Sequence, residues 1–312
     1  MKLAVTGCHG YIGGHLVDRL RFSGHEVIGL DHRPRPPWAA IDAECVELGE
    51  PRGAALAAGA LGGCQAVFHL AARQPFDSDL FRLLRGNVQR TSNLLLAMRL
   101  SGVTRLIHAS TAAVYGRAEP SPVAEDAPAR PENNYQATKR VAELLAEAFS
   151  RTPGGCVTVL RMTGVFGGRG RTGPMPALID AVLLGSRIAL PAGGTMRRSH
   201  VHVDDAVSAL VLALDRPQSA PLAAYNVGGA ESPTDRELCE IIADALGRRV
   251  AIDPDDDPNT EVAGLVVDIA RSRQVLGYAP RPLRDGVAEL ALAMARERAA
   301  GAEPSVPRRE IG

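Results

Sequence analysis

Tyr135-Gln136-Ala137-Thr138-Lys139 places a phenol and an ammonium four residues apart. On a helix that spacing puts both side chains on one face, one turn apart. A phenol of ordinary pKa, about 10, is a poor base at neutral pH. A positive charge beside it stabilises the phenolate and brings it into a useful range. With five tyrosines and two lysines in the chain, the pattern would arise by chance about 0.03 times. The lysine itself stands out, because only Lys2 and Lys139 are lysines among 35 basic residues. A compact ammonium bonds paired hydroxyls in places where a guanidinium fits less well. Upstream, Ala109-Ser110-Thr111 follows an apolar run at Arg105–His108. Either Thr111 or Ser110 could bond a substrate hydroxyl there and relay its proton to Tyr135.

A second constellation opens the chain. Gly7-Cys8-His9-Gly10-Tyr11-Ile12-Gly13 stands between a short apolar run and a helical pattern. Glycines serve where a chain turns tightly, where backbone must approach a pyrophosphate, and where a helix packs closely on a strand. The helix start then offers N–H groups and the positive end of its dipole to phosphates. Asp31 follows about twenty residues later, where a carboxylate accepts both ribose hydroxyls of an adenosine. It would repel a 2′-phosphate, so the reading is NAD rather than NADP. His32 and Arg33 lie beside it, and Arg33 and Arg35 offer charge for a 2′-phosphate as the competing reading.

These residues must be positioned by alternating strands and helices, the pattern of βαβ units and a parallel sheet. Strands are predicted at Leu3–Thr6, Val27–Leu30, Cys45–Leu48, Ala66–Leu70, Arg105–His108 and Val157–Leu160. Helices are predicted at Tyr11–Phe22, Ala54–Ala60, Leu80–Leu100 and Tyr135–Arg151. After Arg161 come a Gly/Pro-rich loop, a helix at Ala177–Leu184 and a strand-helix unit at Ser199–Leu214. A strand ending at Asn226, a helix at Thr234–Leu246, an acidic loop at Asp253–Asp257, a helix at Leu283–Arg298 and a frayed tail complete the chain. The expected fold is α/β: a doubly wound Rossmann sheet with a smaller C-terminal α/β substrate domain. The expected division is 1–162 with about 200–226 for the dinucleotide, and 163–199 with 227–312 for the substrate.

Composition narrows the function. Lys+Arg and Asp+Glu are both 35, a net charge of +0 over 312 residues, without the basic patch that nucleic acid needs. No apolar stretch approaches the eighteen residues of a membrane span. Five scattered cysteines with no C-x-x-C pair argue for a reduced, cytoplasmic setting and against a disulfide scaffold or zinc site. His200 and His202 alternate with valines and read as a polar strand face, not metal ligands. The acidic run lacks calcium-loop spacing. No metal is expected. Cys8 is read for its backbone, and Tyr115-Gly116 as a structural turn.

Together the blocks VTGCHGYIGGHLV, VFHLAA, NVQRTSNLL, ASTAAVYG, YQATK, LRMTGVFG, RRSHVHVDDAV and YNVGG resemble the extended short-chain dehydrogenase/reductase family, in its sugar-nucleotide epimerase/dehydratase branch. The resemblance covers nearly the whole chain. It implies that Thr111, Tyr135 and Lys139 are catalytic. It implies NAD contacts at Gly7, Gly10, Tyr11, Ile12, Gly13 and Asp31, at Leu70, Ala71 and Ala72, at Asn87 and at Thr163. Glu47 and Leu48 fall where the family has an acidic-hydrophobic pair near adenine. His32, Arg33, Ala109, Ser110, Tyr135 and Lys139 complete the expected cofactor surroundings. Arg198 matches an arginine that contacts a diphosphate, and Thr111 and Gly164 fall at substrate positions.

Departures are informative. Gly164 stands where the family often has Asn, Gly168 where it has Pro, and RSHVHV where RDFVHV is usual. Family dehydratases carry Asp-Glu directly after the catalytic Thr; Ala112 and Ala113 stand here, so elimination of water is not expected. The implied activity is NAD-dependent epimerisation of a nucleotide-linked sugar through a keto intermediate. The alternatives are a one-way 4-ketoreductase or dehydrogenase of a sugar or other secondary alcohol, and a non-catalytic NAD(P)-sensing protein. The long helices carry more apolar positions than one sheet face can cover, and in this family such helices pair across a two-fold axis, so a homodimer is expected.

Overall fold

The structure, a computed structural model, describes residues 1–74, 77, 79–117, 121–170, 173–216, 220–253 and 264–301. Most of the acidic run after Asp253 and all but the first residue of the expected tail lie outside the described residues. The first half runs β1 (Lys2–Thr6), α1 (Tyr11–Phe22), β2 (Glu26–Asp31), β3 (Ala43–Cys45), α2 (Gly53–Ala60) and β4 (Ala66–His69). It continues with α3 (Leu80–Leu83), a π-helical turn at Leu84–Gln89, α4 (Arg90–Ser101), β5 (Arg105–Thr111), α5 (Asn134–Ser150) and β6 (Cys156–Met162). The rest comprises β7 (Gly164–Phe166), α6 (Pro174–Leu184), β8 (Arg187–Ala189), β9 (His200–His202), α7 (Val203–Asp215), β10 (Leu222–Val227), α8 (Asp235–Leu246), β11 (Ala251–Asp253) and α9 (Leu283–Ala299).

Seven strands form one parallel sheet in the order β10-β6-β5-β4-β1-β2-β3. The order reverses beside β1, which places the ligand crevice at the carboxyl ends of the strands near that switch. Its strands are buried on both faces, hence their continuous apolar runs. One apolar cluster joins β1, β4 and β6 to α1 and α7 through Leu3, Phe68, Leu160, Leu16 and Leu210. Another fills the opposite face with Leu61, Leu94, Met98, Leu106 and Phe149. A third lies in the smaller lobe among α6, α8 and α9, around Ile179, Ile242 and Leu290. Two short parallel pairs, β7–β9 and β8–β11, belong outside the main sheet. The architecture is the doubly wound Rossmann type expected from the alternating pattern.

The short strands β7, β8 and β11 lie outside the predicted strands, and three further differences bear on the site. The third strand is Ala43–Cys45, not Cys45–Leu48. Val46 and Leu48 are buried, so their apolar character reads as strand. The chain has already left the sheet edge there, drawn into a turn where the Glu47 carboxylate accepts from Gly49 N at 2.8 Å. The helix expected at Leu80–Leu100 is interrupted by the π turn, one residue wider than an α turn. That turn carries Asn87 inward, to accept from Arg73 N at 2.8 Å and donate to Thr138 Oγ1 at 3.0 Å. The fifth strand runs on to Thr111, because Ala109, Ser110 and Thr111 keep pairing with Leu160, Arg161 and Met162.

Candidate active site

The candidate catalytic face is set by α5 lying against the end of β5. Asn133 caps α5, its side chain accepting from Gln136 N at 3.0 Å, a bond of a kind that stabilises a helix start by about 1 kcal/mol. That start fixes Tyr135 in the first turn and Lys139 in the second. The Thr111 side chain lies close enough to the Tyr135 hydroxyl to lower its pKa. Lys139 is buried and donates to the Ala109 carbonyl at 2.8 Å. Thr138 braces the same turn, donating to the Tyr135 carbonyl at 2.9 Å while accepting from Asn87.

Charge at this face differs from the expectation. Burial pushes Tyr135 up to about 12, and Thr111 opposes it only in part. Burial pushes Lys139 down to about 8, with Glu143 pulling the other way. The ammonium rests on a backbone carbonyl, and the chain's own groups leave Tyr135 a neutral phenol.

Ser110 turns the other way from Thr111, donating to Glu143 Oε1 at 2.6 Å. Glu143 also accepts from Arg161 Nε at 3.1 Å, Arg161 Nη2 at 3.0 Å and Arg140 Nη1 at 2.9 Å. Arg161 in turn donates to the Tyr115 hydroxyl at 2.9 Å and the Glu125 carbonyl at 3.1 Å. Tyr115 donates to Asn226 Oδ1 at 2.8 Å, and Asn226 N donates to Glu125 Oε1 at 2.8 Å. This network behind the site was missed in the sequence. Its signals were Glu143 four residues beyond Lys139 on the same helix face, and Arg161 as the one charge in an otherwise apolar strand. Tyr115 is structural, as expected.

The glycine loop fits a dinucleotide pyrophosphate. Gly7 has φ +72, and a Cβ there would lie 2.9 Å from Ala71 N; a Cβ on Gly13 would lie 2.1 Å from the Gly7 carbonyl. No side chain caps α1 at Gly10, leaving that helix start to backbone groups alone. Thr6 Oγ1 accepts from the N–H groups of Leu70 and Ala71, each at 3.2 Å, and so sets 70–72 beside the loop. Tyr11 donates to the Gly167 carbonyl at 2.7 Å, tying the loop to the smaller lobe. Ile12 packs into the core below.

The expected adenosine side is also brought together. His32 Nδ1 lies 3.5 Å from Asp31 Oδ1 and 3.7 Å from Glu47 Oε2. Glu47 accepts from Arg90 at 2.8 and 2.6 Å. Burial would raise its pKa, but Arg90 and the Gly49 N–H hold it down to about 2. Leu48 is buried beneath. Asp31 is engaged: Oδ1 accepts from Arg33 N at 3.0 Å and Nε at 3.1 Å, and Oδ2 from Arg33 Nη2 at 2.9 Å and His9 N at 3.0 Å. Against burial, these bonds hold its pKa below the usual value. Arg33 thus lies on the carboxylate expected to meet a ribose. Cys8, His9 and Asp31 come within 4.8 Å of one another. Burial, then Asp31, pushes the Cys8 thiol up to about 12, and the Asp31 oxygens are already bonded, so the group is a hydrogen-bonded corner of the loop.

On the far side of the crevice, Thr163 N and Oγ1 approach the Val227 carbonyl at 3.0 and 3.4 Å. Gly164 pairs with His200 across β7 and β9. Arg198 lies near Asp235, 3.4 Å from Nη2 to Oδ2. His202 is buried, stacked edge-on against Phe166. No helix among the described residues is long and apolar enough to cross a membrane.

A family profile for the "NAD dependent epimerase/dehydratase family" matches residues 3–228. UDP-glucose 4-epimerase of Mycolicibacterium smegmatis is 30% identical over 316 residues, covering 93% of this chain and 97% of that protein. dTDP-glucose 4,6-dehydratase of Streptomyces antibioticus is also 30% identical, over 90% of this chain and 88% of that protein. Among solved structures, MoeE5 in complex with UDP-glucose and NAD superposes with a TM-score of 0.82 at 31% identity, covering 96% of this chain and 100% of that one. The cradle, the Tyr135–Lys139 helix and these likenesses agree, and the chain belongs to the NAD-dependent epimerase/dehydratase family, enzymes of the extended short-chain dehydrogenase/reductase type.

Proposed function

We propose that the protein epimerises a nucleotide-linked sugar through transient oxidation at one carbon. The observation that carries this reading is Tyr135 beside Thr111 and one turn from Lys139, with alanines at 112 and 113 directly after the threonine. Gly7, Gly10, Tyr11, Ile12 and Gly13 would hold the pyrophosphate of NAD. Asp31, His32, Glu47 and Leu48 would surround its adenosine, with Leu70–Ala72, Asn87 and Thr163 along its length. Bound NAD supplies a hydride acceptor and a positive ring.

Tyr135 takes the proton of the sugar hydroxyl, directly or through Thr111, and returns it after the carbonyl has turned over. A positive charge close to the phenol is needed to make it a base, since burial alone keeps it protonated. Lys139, fixed by the Ala109 carbonyl, is placed to bond the ribose of the nicotinamide half. The smaller lobe, 163–199 and 227–312, would close over the substrate, with Arg198 toward its diphosphate.

Elimination of water needs a second acid and base beside the oxidised carbon. Ala112 and Ala113 supply neither, and Glu125, the nearest candidate in the following loop, is held by Asn226 N at 2.8 Å and lies 3.6 Å from Arg271. The test is to incubate the protein with NAD and UDP-glucose, UDP-galactose or dTDP-glucose, and follow products by mass and retention. Unchanged mass with a new retention time is expected. Loss of one water would make the protein a dehydratase, and loss of two hydrogens with accumulating reduced cofactor a one-way dehydrogenase. Tyr135→Phe should abolish the reaction while binding NAD normally.

A further inference from the structure

Two nitrogens near the start of β9 are buried without a hydrogen-bond partner: Arg198 Nε and His200 Nε2. Their residues stand two apart on the chain, leading into β9. His200 is paired directly with Gly164, and an ideal Cβ on that glycine would meet His200 Nδ1 at 3.5 Å and nothing else within 4 Å. Gly164 itself lies two residues beyond Met162, the strand partner of Thr111. The imidazole therefore occupies space that a side chain at 164 would otherwise share.

Buried donors are almost always satisfied, and one left unpaired loses its hydration with nothing in return. Two such atoms on residues two apart, one of them on a cation whose Nη2 lies 3.4 Å from Asp235 Oδ2, suit an anionic oxygen acceptor. Burial, with Arg198 nearby, pushes His200 down to about 4, so at neutral pH the ring is uncharged and serves as a donor through one nitrogen. It adds a directed hydrogen bond to the charge that Arg198 brings. His202, also on this strand, likewise leaves Nε2 without a hydrogen-bond partner, but that atom lies 3.8 Å from Glu289 Oε1, its Nδ1 accepts from Asp204 N at 3.3 Å and its ring is packed against Phe166.

We propose that His200 is a substrate-binding residue that donates, together with Arg198, to the phosphate oxygens of a nucleoside diphosphate group. The proposal rests on the nucleotide-sugar reading above and assigns His200, opposite Gly164, a part in it.

The experiment titrates the full chain, saturated with NAD, with UDP, dTDP, UDP-glucose and dTDP-glucose by calorimetry. It compares wild type with His200→Phe, His200→Ala and His200→Asn. The phenyl and alanine variants should bind the diphosphates and the nucleotide sugars more weakly, by about tenfold and to the same extent in each pair. Asn, which keeps an N–H donor, should recover most of that loss. Affinity for NAD and thermal stability, measured on the same samples, should be unchanged and so separate a binding defect from a folding one. Variants that bind as tightly as wild type would overturn the proposal, as would a loss confined to the sugar-bearing ligands, which would place His200 on the sugar. Wild-type protein that binds none of the four would overturn the nucleotide-sugar reading itself.

Discussion

The Ser110 hydroxyl donates to Glu143 at 2.6 Å, away from the candidate catalytic face, although its neighbour Thr111 lies beside Tyr135. Adjacent residues of one strand point to opposite faces, so only one of the two hydroxyls can meet the phenol. Thr111→Val should therefore lower turnover by about a hundredfold, the scale of a lost proton-transfer partner. Ser110→Ala should leave turnover nearly intact and lower stability by about 1 kcal/mol. Steady-state rates and urea unfolding of both variants check this, and the reverse ordering would move the relay to Ser110.

His69 and His108 lie stacked behind Lys139, with ring centroids 5.3 Å apart. His69 is bonded to Thr6 at 2.7 Å and Thr91 at 3.0 Å, whereas neither ring nitrogen of His108 has a partner. Burial, then Lys139, pushes His69 from 6.5 down to about 3, and His108 well below its ordinary value. The unfolded chain thus takes up protons near 6.5 that the folded chain refuses, so stability falls as pH drops from 6.5 toward 3. His108→Leu should raise stability at pH 7 by about 1 kcal/mol and make the acid decline shallower. Urea midpoints at pH 7 and pH 5 test both. A destabilised variant with an unchanged acid slope would count against this account.

Arg33 must leave Asp31 before both carboxylate oxygens can receive a ribose. Arg33→Ala should then tighten NAD binding by about threefold, because a competing internal state is removed. Asp31→Asn should weaken NAD and release Arg33 toward a 2′-phosphate, shifting the NAD-to-NADP preference by about tenfold. Dissociation constants for both cofactors decide this. Wild-type protein that prefers NADP would reverse the assignment of Asp31.

The outer faces of α4 and α5 expose Leu96 (48%), Leu100 (64%), Val141 (38%) and Leu144 (47%) at helical spacing. An apolar patch of that kind marks an interaction surface, and an isologous dimer is its simplest cover. Light scattering at micromolar concentration should give twice the chain mass. Leu96→Glu with Leu144→Glu should give one chain mass with the fold retained by circular dichroism. A monomeric wild type would remove the proposal.

The sequence by itself determined what depends on neighbours along the chain. Glycine at 10 and 13 is dictated by contacts within one tight loop, where a Cβ would strike the Gly7 carbonyl, and glycine at 7 by its positive φ. The face shared by Tyr135 and Lys139 follows from helix geometry, and the buried strands from their apolar runs. Tertiary structure decided what depends on residues distant in sequence. It set Thr111 beside Tyr135 and left the Ser110 hydroxyl to Glu143. It laid Arg33 on Asp31 and pulled Glu47 to Arg90, ending β3 early. It widened one helical turn so that Asn87 could reach Arg73 and Thr138. It also set His200 opposite Gly164, 36 positions apart in sequence and adjacent across two strands. Local periodicity reports backbone conformation and which face is apolar. The partner of a buried charge or hydroxyl is chosen by packing, which brings distant segments together and leaves no local pattern to read.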